Sequence, residues 1–345
     1  MPTSSILKTT LERTSNLRTS LAIIGVFLVL EVSKQLSNFG LMKTPKAQRP
    51  LTPSLLVVLV ELVKLVVVVV WQVPRDPPKP WRASLKFAIP AVCYLVNNSL
   101  YLNALSATSP PVWLVLIQTR TLFTALAYKV VFGRELRWTQ GLGCVLVVSS
   151  ILLTKLSSLR EDQNTVSTAV FVSSQISALL SSTASLTVET LLKNDGRSFI
   201  EQQVWLYLWG ALLGISTVLY TEDLPDLFQH LKVIATLPTM TSTMTPFSLK
   251  DYLVALNNLV LGGVTALLFP SEFSFNGFYL VSLAPPNNDL NNDPFSLKDY
   301  LVALNNLVLG GVTALLFPSE FSFNGFYLVS LVVLLTGIFL YEKKH

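Results

Sequence analysis

The stretch LLVVLVELVKLVVVVVW, residues 55–71, decides how the rest of the chain is interpreted. Only Glu61 and Lys64 interrupt its run of apolar side chains. A helix needs about 20 predominantly apolar residues to cross the hydrocarbon core of a bilayer. This run, with its flanking residues, has that length. It therefore predicts a membrane span that carries a carboxylate and an ammonium near its centre.

The composition of the whole chain agrees with a protein embedded in a lipid bilayer. Of its 345 residues, 51% are apolar and only 13% are charged, whereas soluble globular domains carry about a quarter charged residues. Apolar runs of span length recur near 19–37, 51–71, 84–105, 110–132, 138–156, 166–192, 202–220, 250–269, 298–317 and 323–341. The sequence therefore predicts an all-α membrane protein with about ten transmembrane helices.

The charged and nucleophilic residues argue against a nucleic-acid-binding protein and against an enzyme. The net charge of +5 is spread over loops, without the basic stripe and alternating aromatic residues of a nucleic-acid interface. The chain contains no HExxH, Walker loop or GxSxG motif, so we expect no catalytic residue, metal or cofactor. Cys93 and Cys144 both lie inside apolar runs, which predicts buried thiols rather than a disulfide framework.

Loop charges predict the orientation of the spans. Segment 72–86 contains four basic residues and one acidic residue, whereas segment 221–249 is acidic. Basic loops stay on the cytosolic side, so we expect both termini in the cytosol. Segment 38–50 carries Lys43, Lys46 and Arg49 on the opposite side and departs from this rule.

A segment of the second half is duplicated without a single difference. Residues 246–283 and 294–331 are identical, but the first copy is followed by a polar stretch with Pro285 and Pro286, and the second by further apolar residues. We expect 250–269 and 298–317 to cross the bilayer in opposite directions. The chain is expected to divide into an N-terminal half, 1–160, and a C-terminal half, 161–345.

Ionisable side chains inside predicted spans are costly and usually face a bundle interior or a water-filled cavity. Glu61 and Lys64, at i and i+3, share a helix face and are positioned to pair, either to lock two helices together or to line a cavity. Arg120, beside Gln118, lies deep in its span, and a guanidinium suits a phosphate. The alternative is a structural pair between Arg120 and Glu61 or Glu189. With aromatic and amide side chains in neighbouring spans, the set suits a nucleotide.

Three segments carry a resemblance to a known family. These are VELVKL with Glu61 and Lys64, LKFAIPAVCYLVNNSLYLNAL with Tyr94 and Asn98, and the Gln-x-Arg motif of IQTRTLFTALAY. They resemble the transporters for CMP-sialic acid, UDP-galactose and UDP-N-acetylglucosamine, within the drug/metabolite transporter superfamily. The resemblance implies a bundle of two inverted five-helix halves with a site between them near the midplane.

The resemblance also implies site residues and partners. Tyr94, Asn98, Ser181 and Tyr207 match family site residues, while Trp113 replaces a base-contacting tyrosine, Gln203 an asparagine and Arg120 a phosphate-facing lysine. Family members exchange a cytosolic nucleotide sugar for a lumenal nucleoside monophosphate. The implied location is the Golgi membrane, with the endoplasmic reticulum as the alternative. A UDP-sugar is favoured over a CMP-sugar, and a homodimer is an open alternative.

One departure from the family keeps rival functions open. The family's ninth helix carries a KYxDNxxKGF-type segment with a second phosphate-facing lysine, and this chain has the duplicate in its place. The alternative is therefore a non-transporting or defective relative that acts at most as a binding membrane protein. An exporter of amino acids or other metabolites is a third hypothesis, against which Arg120, Tyr94 and Asn98 argue.

Overall fold

The computed structural model describes residues 25–26, 28–45, 51–74, 84–133, 137–160, 167–222, 297–321 and 324–342, and all regular secondary structure in them is helical. Four helical stretches are long and apolar enough to span a membrane, namely Pro53–Val70, Trp138–Leu156, Thr168–Leu191 and Ile200–Thr221, and two shorter apolar helices cover Asn305–Leu316 and Gly325–Tyr341. The prediction of an all-helical, multi-pass membrane protein is confirmed. The predicted span 250–269 lies outside the described residues.

The described part of the N-terminal half contains six helices. They are α1 (28–43), α2 (Pro53–Val67, continued by a π-helical turn at Val68–Gln72), α3 (Ala88–Leu105, after a 3₁₀ turn at Leu85–Phe87), α4 (Pro110–Leu116), α5 (Arg120–Phe132) and α6 (Trp138–Arg160). A 3₁₀ turn at Ile117–Thr119 joins α4 to α5. This break divides the predicted span 110–132 into two shorter helices.

The described part of the C-terminal half contains four helices. They are α7 (Thr168–Asn194), α8 (Phe199–Thr221), α9 (Leu297–Leu316) and α10 (Gly325–Glu342). Ser167 and Ser198 cap the first two, because their hydroxyls accept hydrogen bonds from the Val170 and Glu201 amides at 3.2 and 3.3 Å. Such caps satisfy backbone donors that have no partner within the helix.

Helices α2 and α8 pack antiparallel and very close together. A Cβ atom on Gly214 would lie 2.8 Å from Cγ2 of Val58, and one on Gly210 would lie 3.0 Å from Oε2 of Glu61. Helix association in membranes relies on such small residues, because they let two backbones approach closely. The two glycines therefore bring the charged face of α2 against α8.

The seam between α6 and α10 is tighter still. A Cβ atom on Gly143 would lie 2.5 Å from the carbonyl oxygen of Gly337, and one on Gly337 would lie 2.9 Å from the carbonyl oxygen of Gly143. Each glycine thus faces the backbone of the other helix. No other residue type fits at this crossing without a shift of the helices.

Helix α9 runs parallel to α1. The middle of the two helices shares an apolar cluster that contains Val32 and Leu309, and their C-terminal ends meet where the Phe39 and Phe317 rings pack edge to face at 5.0 Å between centroids. Helix α10 then returns antiparallel to α9. The beginning of α1 and the end of α10 therefore lie at the same face of the bundle.

We predict that Gly143→Ala destabilises the protein, because the added methyl group forces α6 and α10 apart. Overpacking typically costs about 1–3 kcal/mol, which thermal unfolding in detergent would detect. Gly141→Ala is the matched control on the same helix, since a Cβ there meets nothing within 4 Å, and its higher helix propensity should leave the melting temperature equal or raised. Equal melting temperatures for the two variants would contradict the close crossing.

Candidate functional site

The two charged residues of α2 form an ion pair inside the bundle. Nζ of Lys64 contacts Oε1 of Glu61 one turn away, and the two residues are 2% and 7% exposed. The Lys64 ammonium also lies 5.0 Å from the centroid of the Tyr207 ring on α8. The predicted pairing is confirmed, and α2 carries no net charge through the hydrocarbon core.

A small cavity lies against this ion pair. Its walls come from α2, α3 and α8, and its polar lining consists of Glu61, Lys64, Tyr94 and Tyr207. These four residues, predicted from separate segments of the sequence, therefore share one cavity. Two tyrosine side chains beside the paired Glu61 and Lys64 suit a ligand with an aromatic ring, because phenol rings provide stacking surfaces.

Gly210 explains why the Glu61 carboxylate fits at the wall of this cavity. Gly210 itself lines the cavity, and any side chain on it would point at the Glu61 carboxylate. The absence of a Cβ lets the carboxylate lie against the backbone of α8. The carboxylate thereby stays inside the bundle and away from lipid.

Polar side chains also line the seam between α3 and α7. The Ser177 hydroxyl donates to Oδ1 of Asn97, which joins α7 to α3. Asn98 is 2% exposed, and its Oδ1 has no protein hydrogen-bond partner. Ser181 is buried one turn further along α7. Asn98 is therefore a buried acceptor still able to bind a ligand.

The break between α4 and α5 places three further predicted residues in the interior. Trp113 is fully buried, with its ring centroid 6.0 Å from that of Tyr101. Gln118 lies in the 3₁₀ turn and Arg120 begins α5, and both are buried. The break is reinforced by the Thr119 hydroxyl, which donates to the Leu116 carbonyl at 2.9 Å. None of these side chains lines the cavity beside Lys64.

The remaining predicted residues differ in their surroundings. Gln203, one turn before Tyr207 on α8, is 4% exposed, and neither of its amide atoms has a protein hydrogen-bond partner. Glu189 is only half-buried and accepts a hydrogen bond from the Tyr128 hydroxyl at 2.7 Å. Gln203 thus has the chemistry of a site residue, whereas Glu189 joins α7 to α5.

Sequence reasoning missed a second buried ion pair, on α1. Nζ of Lys34 contacts Oε2 of Glu31, and the two residues are 5% and 3% exposed. Their spacing repeats that of Glu61 and Lys64, so the same Glu-x-x-Lys signal was present in the predicted span 19–37. Helix α9 adds another buried residue, Asn306, which is 1% exposed.

Comparison with known proteins points to one family. A family model described as nucleotide-sugar transporter matches residues 22–230, which is more than half of the chain. CMP-sialic acid transporter 1 of Oryza sativa subsp. indica is 23% identical over 148 residues, covering 42% of this chain and 46% of the relative. The probable UDP-sugar transporter protein SLC35A4 of Sus scrofa is 31% identical over 163 residues, covering 42% of this chain and 50% of the relative.

These matches reach only part of each relative, since the chain spans about half the length of the curated relatives it matches. A solved crystal structure of a protein superposes on the chain with a TM-score of 0.54 at 13% identity, covering 93% of this chain and 96% of that chain. That likeness concerns the fold alone.

We predict that Lys64→Met destabilises the protein much more than the double variant Glu61→Gln/Lys64→Met. The single variant leaves a buried carboxylate without its counter-charge, which typically costs about 3–5 kcal/mol, whereas replacing both partners is often nearly neutral. Thermal or chemical unfolding of the two variants and the parent chain in detergent measures the difference. Equal losses would show that Glu61 and Lys64 do not stabilise each other.

Proposed function

The chain belongs to the nucleotide-sugar transporter family, and we propose that it exchanges a cytosolic pyrimidine nucleotide sugar, with UDP-sugars favoured, for a lumenal nucleoside monophosphate. The observation that carries the proposal is the cavity beside Lys64, where a buried ammonium and two tyrosine rings meet inside the bundle. The proposed location is the Golgi membrane, with the endoplasmic reticulum membrane as the alternative. A homodimer stays a prediction.

We propose ten spans arranged as two inverted halves, 1–160 and 161–345. The ten proposed spans are numbered in chain order, with α1 to α3 as spans one to three and α4 and α5 together as span four. Helices α6 to α8 are then spans five to seven, and α9 and α10 are spans nine and ten. If the halves are related by an inverted repeat, span i corresponds to span i+5, and contacts between helices should recur under this exchange. Helix α6 packs on α10, α2 on α8, and α4 on α9, and each of these pairs is converted into itself. The exchange also converts the contact between α5 and α7 into the contact between α9 and α1. This symmetry supports the inverted arrangement.

The parallel course of α1 and α9 supports the same count. Helix α8 is antiparallel to α2 and therefore parallel to α1, so α8 and α9 run in the same direction. The end of α8 and the beginning of α9 then lie at opposite faces of the bundle. If the second copy of the duplicated segment is span nine, one further span leads from the end of α8 to the beginning of α9. If it were span eight, α8 and α9 would run in opposite directions.

Within this arrangement we assign the ligand contacts by chemistry. Tyr94 and Tyr207 provide ring surfaces for the base, with Trp113 as a further aromatic contact, and Asn98, Gln118 and Gln203 provide buried amide atoms that have no protein partner. Arg120 is proposed to bind phosphate, and Ser181 to contact the ligand from α7. Glu61 and Lys64 shape the cavity.

A non-transporting relative that only binds nucleotides is the second candidate. One observation favours it: α9 lies in the duplicated segment, in which Lys298 is the only basic residue. Vesicle uptake distinguishes the candidates, because a binding protein retains nucleotide affinity without counterflow.

We predict a topology in which single cysteines at Thr221 and Asn324 react with a membrane-impermeant maleimide from one face, and a cysteine at Asn194 reacts from the other. Cys93 and Cys144 are buried and would be replaced by serine for this purpose. If basic loops mark the cytosol, the face of Asn194 is cytosolic. Labelling of Asn324→Cys and Asn194→Cys from the same face would contradict the proposed direction of α9.

The transport proposal predicts that proteoliposomes preloaded with UMP accumulate labelled UDP-sugar faster than empty ones, and that UMP raises the melting temperature of the protein. Arg120→Gln should reduce both effects at a fixed UMP concentration and leave the melting temperature without ligand close to that of the parent. Loss of one charge-assisted contact is worth about 1.5–3 kcal/mol, which corresponds to a roughly 10- to 150-fold weaker affinity.

The matched control is Lys129→Gln, because Lys129 lies in the last turn of α5, far along the helix from Arg120. It should keep the UMP-induced shift. A large fall in the melting temperature of Arg120→Gln without ligand would assign Arg120 a structural role. Nucleotide-induced shifts without counterflow would favour the binding relative over the transporter.

A further inference from the structure

An ion pair joins the end of α1 to the turn between α9 and α10. Nζ of Lys43 lies 2.5 Å from Oε2 of Glu320, and the Lys43 ammonium also lies 5.4 Å from the centroid of the Phe39 ring. The amides of Glu320 and Phe321 donate to the Phe317 carbonyl at 3.0 and 3.1 Å, so the turn holds Glu320 in place. The pair therefore connects two segments that belong to different proposed halves of the bundle.

Lys43 belongs to the basic segment 38–50, which departs from the expected distribution of loop charge. Basic residues are rare on the non-cytosolic side of a membrane, which is where α1 ends if both termini are cytosolic. The ion pair gives Lys43 a role at that face, because its ammonium meets a carboxylate from the other half.

Aromatic and apolar side chains pack one turn inward from the ion pair. Phe39 and Phe317 pack edge to face at 5.0 Å between centroids, and Phe321 packs against Tyr327 at 5.1 Å. Phe39 and Met42 are 0% and 2% exposed. Side chains from α1, α9 and α10 thus fill this end of the bundle beneath the ion pair.

A hydrogen bond joins the halves at the same face. The hydroxyl of Thr52, which precedes α2, donates to Oε1 of Glu222, which follows α8. The same hydroxyl accepts from the Leu55 amide at 3.3 Å and so caps α2. Two polar contacts between the halves therefore lie at the face where α1, α8 and α9 end, which is called the Thr221 face below.

The cavity lies deeper in the bundle and nearer the opposite face. At 1.5 Å per residue, Tyr207 is about 12 Å from the first residue of α8 and about 21 Å from its last. Helix α3 follows α2 and begins at the same face as α8, and Tyr94 is about 9 Å from its first residue and about 16 Å from its last. The end of the bundle that carries the ion pair therefore lies between the cavity and the Thr221 face.

The ion pair has the strength expected of a contact that can open. Its two side chains are 27% and 32% exposed, and water competes for charges that are partly exposed. Such a pair shifts an equilibrium between two conformations by a factor of about 1.4–5. That factor is large enough to favour one conformation and small enough to leave the other accessible.

We propose that Lys43 and Glu320 form a reversible latch between the two halves. The latch closes the Thr221 face in the conformation described, and it opens when a substrate passes that face. Transporters built from two halves expose their site to each side in turn by moving one half against the other. The part of this inference that concerns substrate passage rests on the proposed function, whereas closure of the face does not.

Closure of the face is measured without any ligand. In a chain whose Cys93 and Cys144 are replaced by serine, Asn38→Cys should react very slowly with a membrane-impermeant maleimide, because Asn38 is 1% exposed. Lys43→Glu places two carboxylates together and should raise the labelling rate from the Thr221 face by about 2- to 25-fold. The lost attraction and the added repulsion each contribute a factor of about 1.4–5.

A charge swap separates the latch from a general loss of structure. The double variant Lys43→Glu/Glu320→Lys restores an ion pair in the reverse sense and should return the labelling rate to that of the parent. The matched control is Lys43→Glu/Glu272→Lys, because Glu272 occupies the same position in the identical first copy of the duplicated segment. This control leaves Glu320 unchanged and should keep the raised rate.

A covalent latch tests the consequence for transport. In the same serine background, a short bis-methanethiosulfonate linker between Lys43→Cys and Glu320→Cys should stop counterflow of UDP-sugar into proteoliposomes preloaded with UMP. Dithiothreitol should restore the counterflow, and the UMP-induced rise in melting temperature should persist in the linked chain. Lys43→Cys alone, treated with the same reagent, is the control and should keep its counterflow.

Three results would overturn the latch. The first is equal labelling of Asn38→Cys with and without Lys43→Glu, and the second is a raised rate that the charge swap does not lower. The third is counterflow that continues after complete cross-linking. If the parent chain shows no counterflow, the proposed function fails, and the labelling rates still decide whether the ion pair closes the Thr221 face.

Discussion

The cost of placing charge in hydrocarbon governs this structure. Helix α2 crosses the bilayer with Glu61 and Lys64 near its centre, and neither charge can face lipid at an acceptable cost. The helix meets the constraint in two ways: the charges neutralise each other one turn apart, and the charged face turns inward against α8, where Gly210 and Gly214 leave room for it.

Close backbone approach at glycines recurs at the other major seam of the bundle. Water does not drive helices together inside a bilayer, so packing between small residues and interhelical hydrogen bonds hold them. Gly143 and Gly337 provide the first kind of contact between α6 and α10, and Asn97 with Ser177 provides the second between α3 and α7. These contacts hold the helices in place. The buried amides that have no protein hydrogen-bond partner, such as those of Asn98 and Gln203, lie among these helices.

The sequence sufficed to predict the apolar helices of the described residues and the pairing of Glu61 with Lys64, because both depend on local properties. The hydropathy of a span is a sum over its own residues, and Glu61 and Lys64 are the two ionisable residues in the otherwise apolar run 55–71. The sequence did not predict the break at Ile117–Thr119, since no proline or glycine lies there. It also did not predict which face of α1 turns inward. Glu31 and Lys34 carried the same spacing signal as Glu61 and Lys64, but near the end of an apolar run they are indistinguishable from residues at a membrane surface. Only the packing of α1 against its neighbours shows that they are buried.

The duplicated segment shows how far position in the bundle overrides local sequence. In the second copy, Asn306 and Thr313 are 1% and 0% exposed, although an asparagine and a threonine in an apolar helix have no intrinsic reason to avoid the polar headgroup region. They are buried because α9 runs parallel to α1 and packs against α1, α4 and α10. The environment of Asn306 is therefore decided by the helices that α9 packs against, and not by the apolar residues beside it in the sequence.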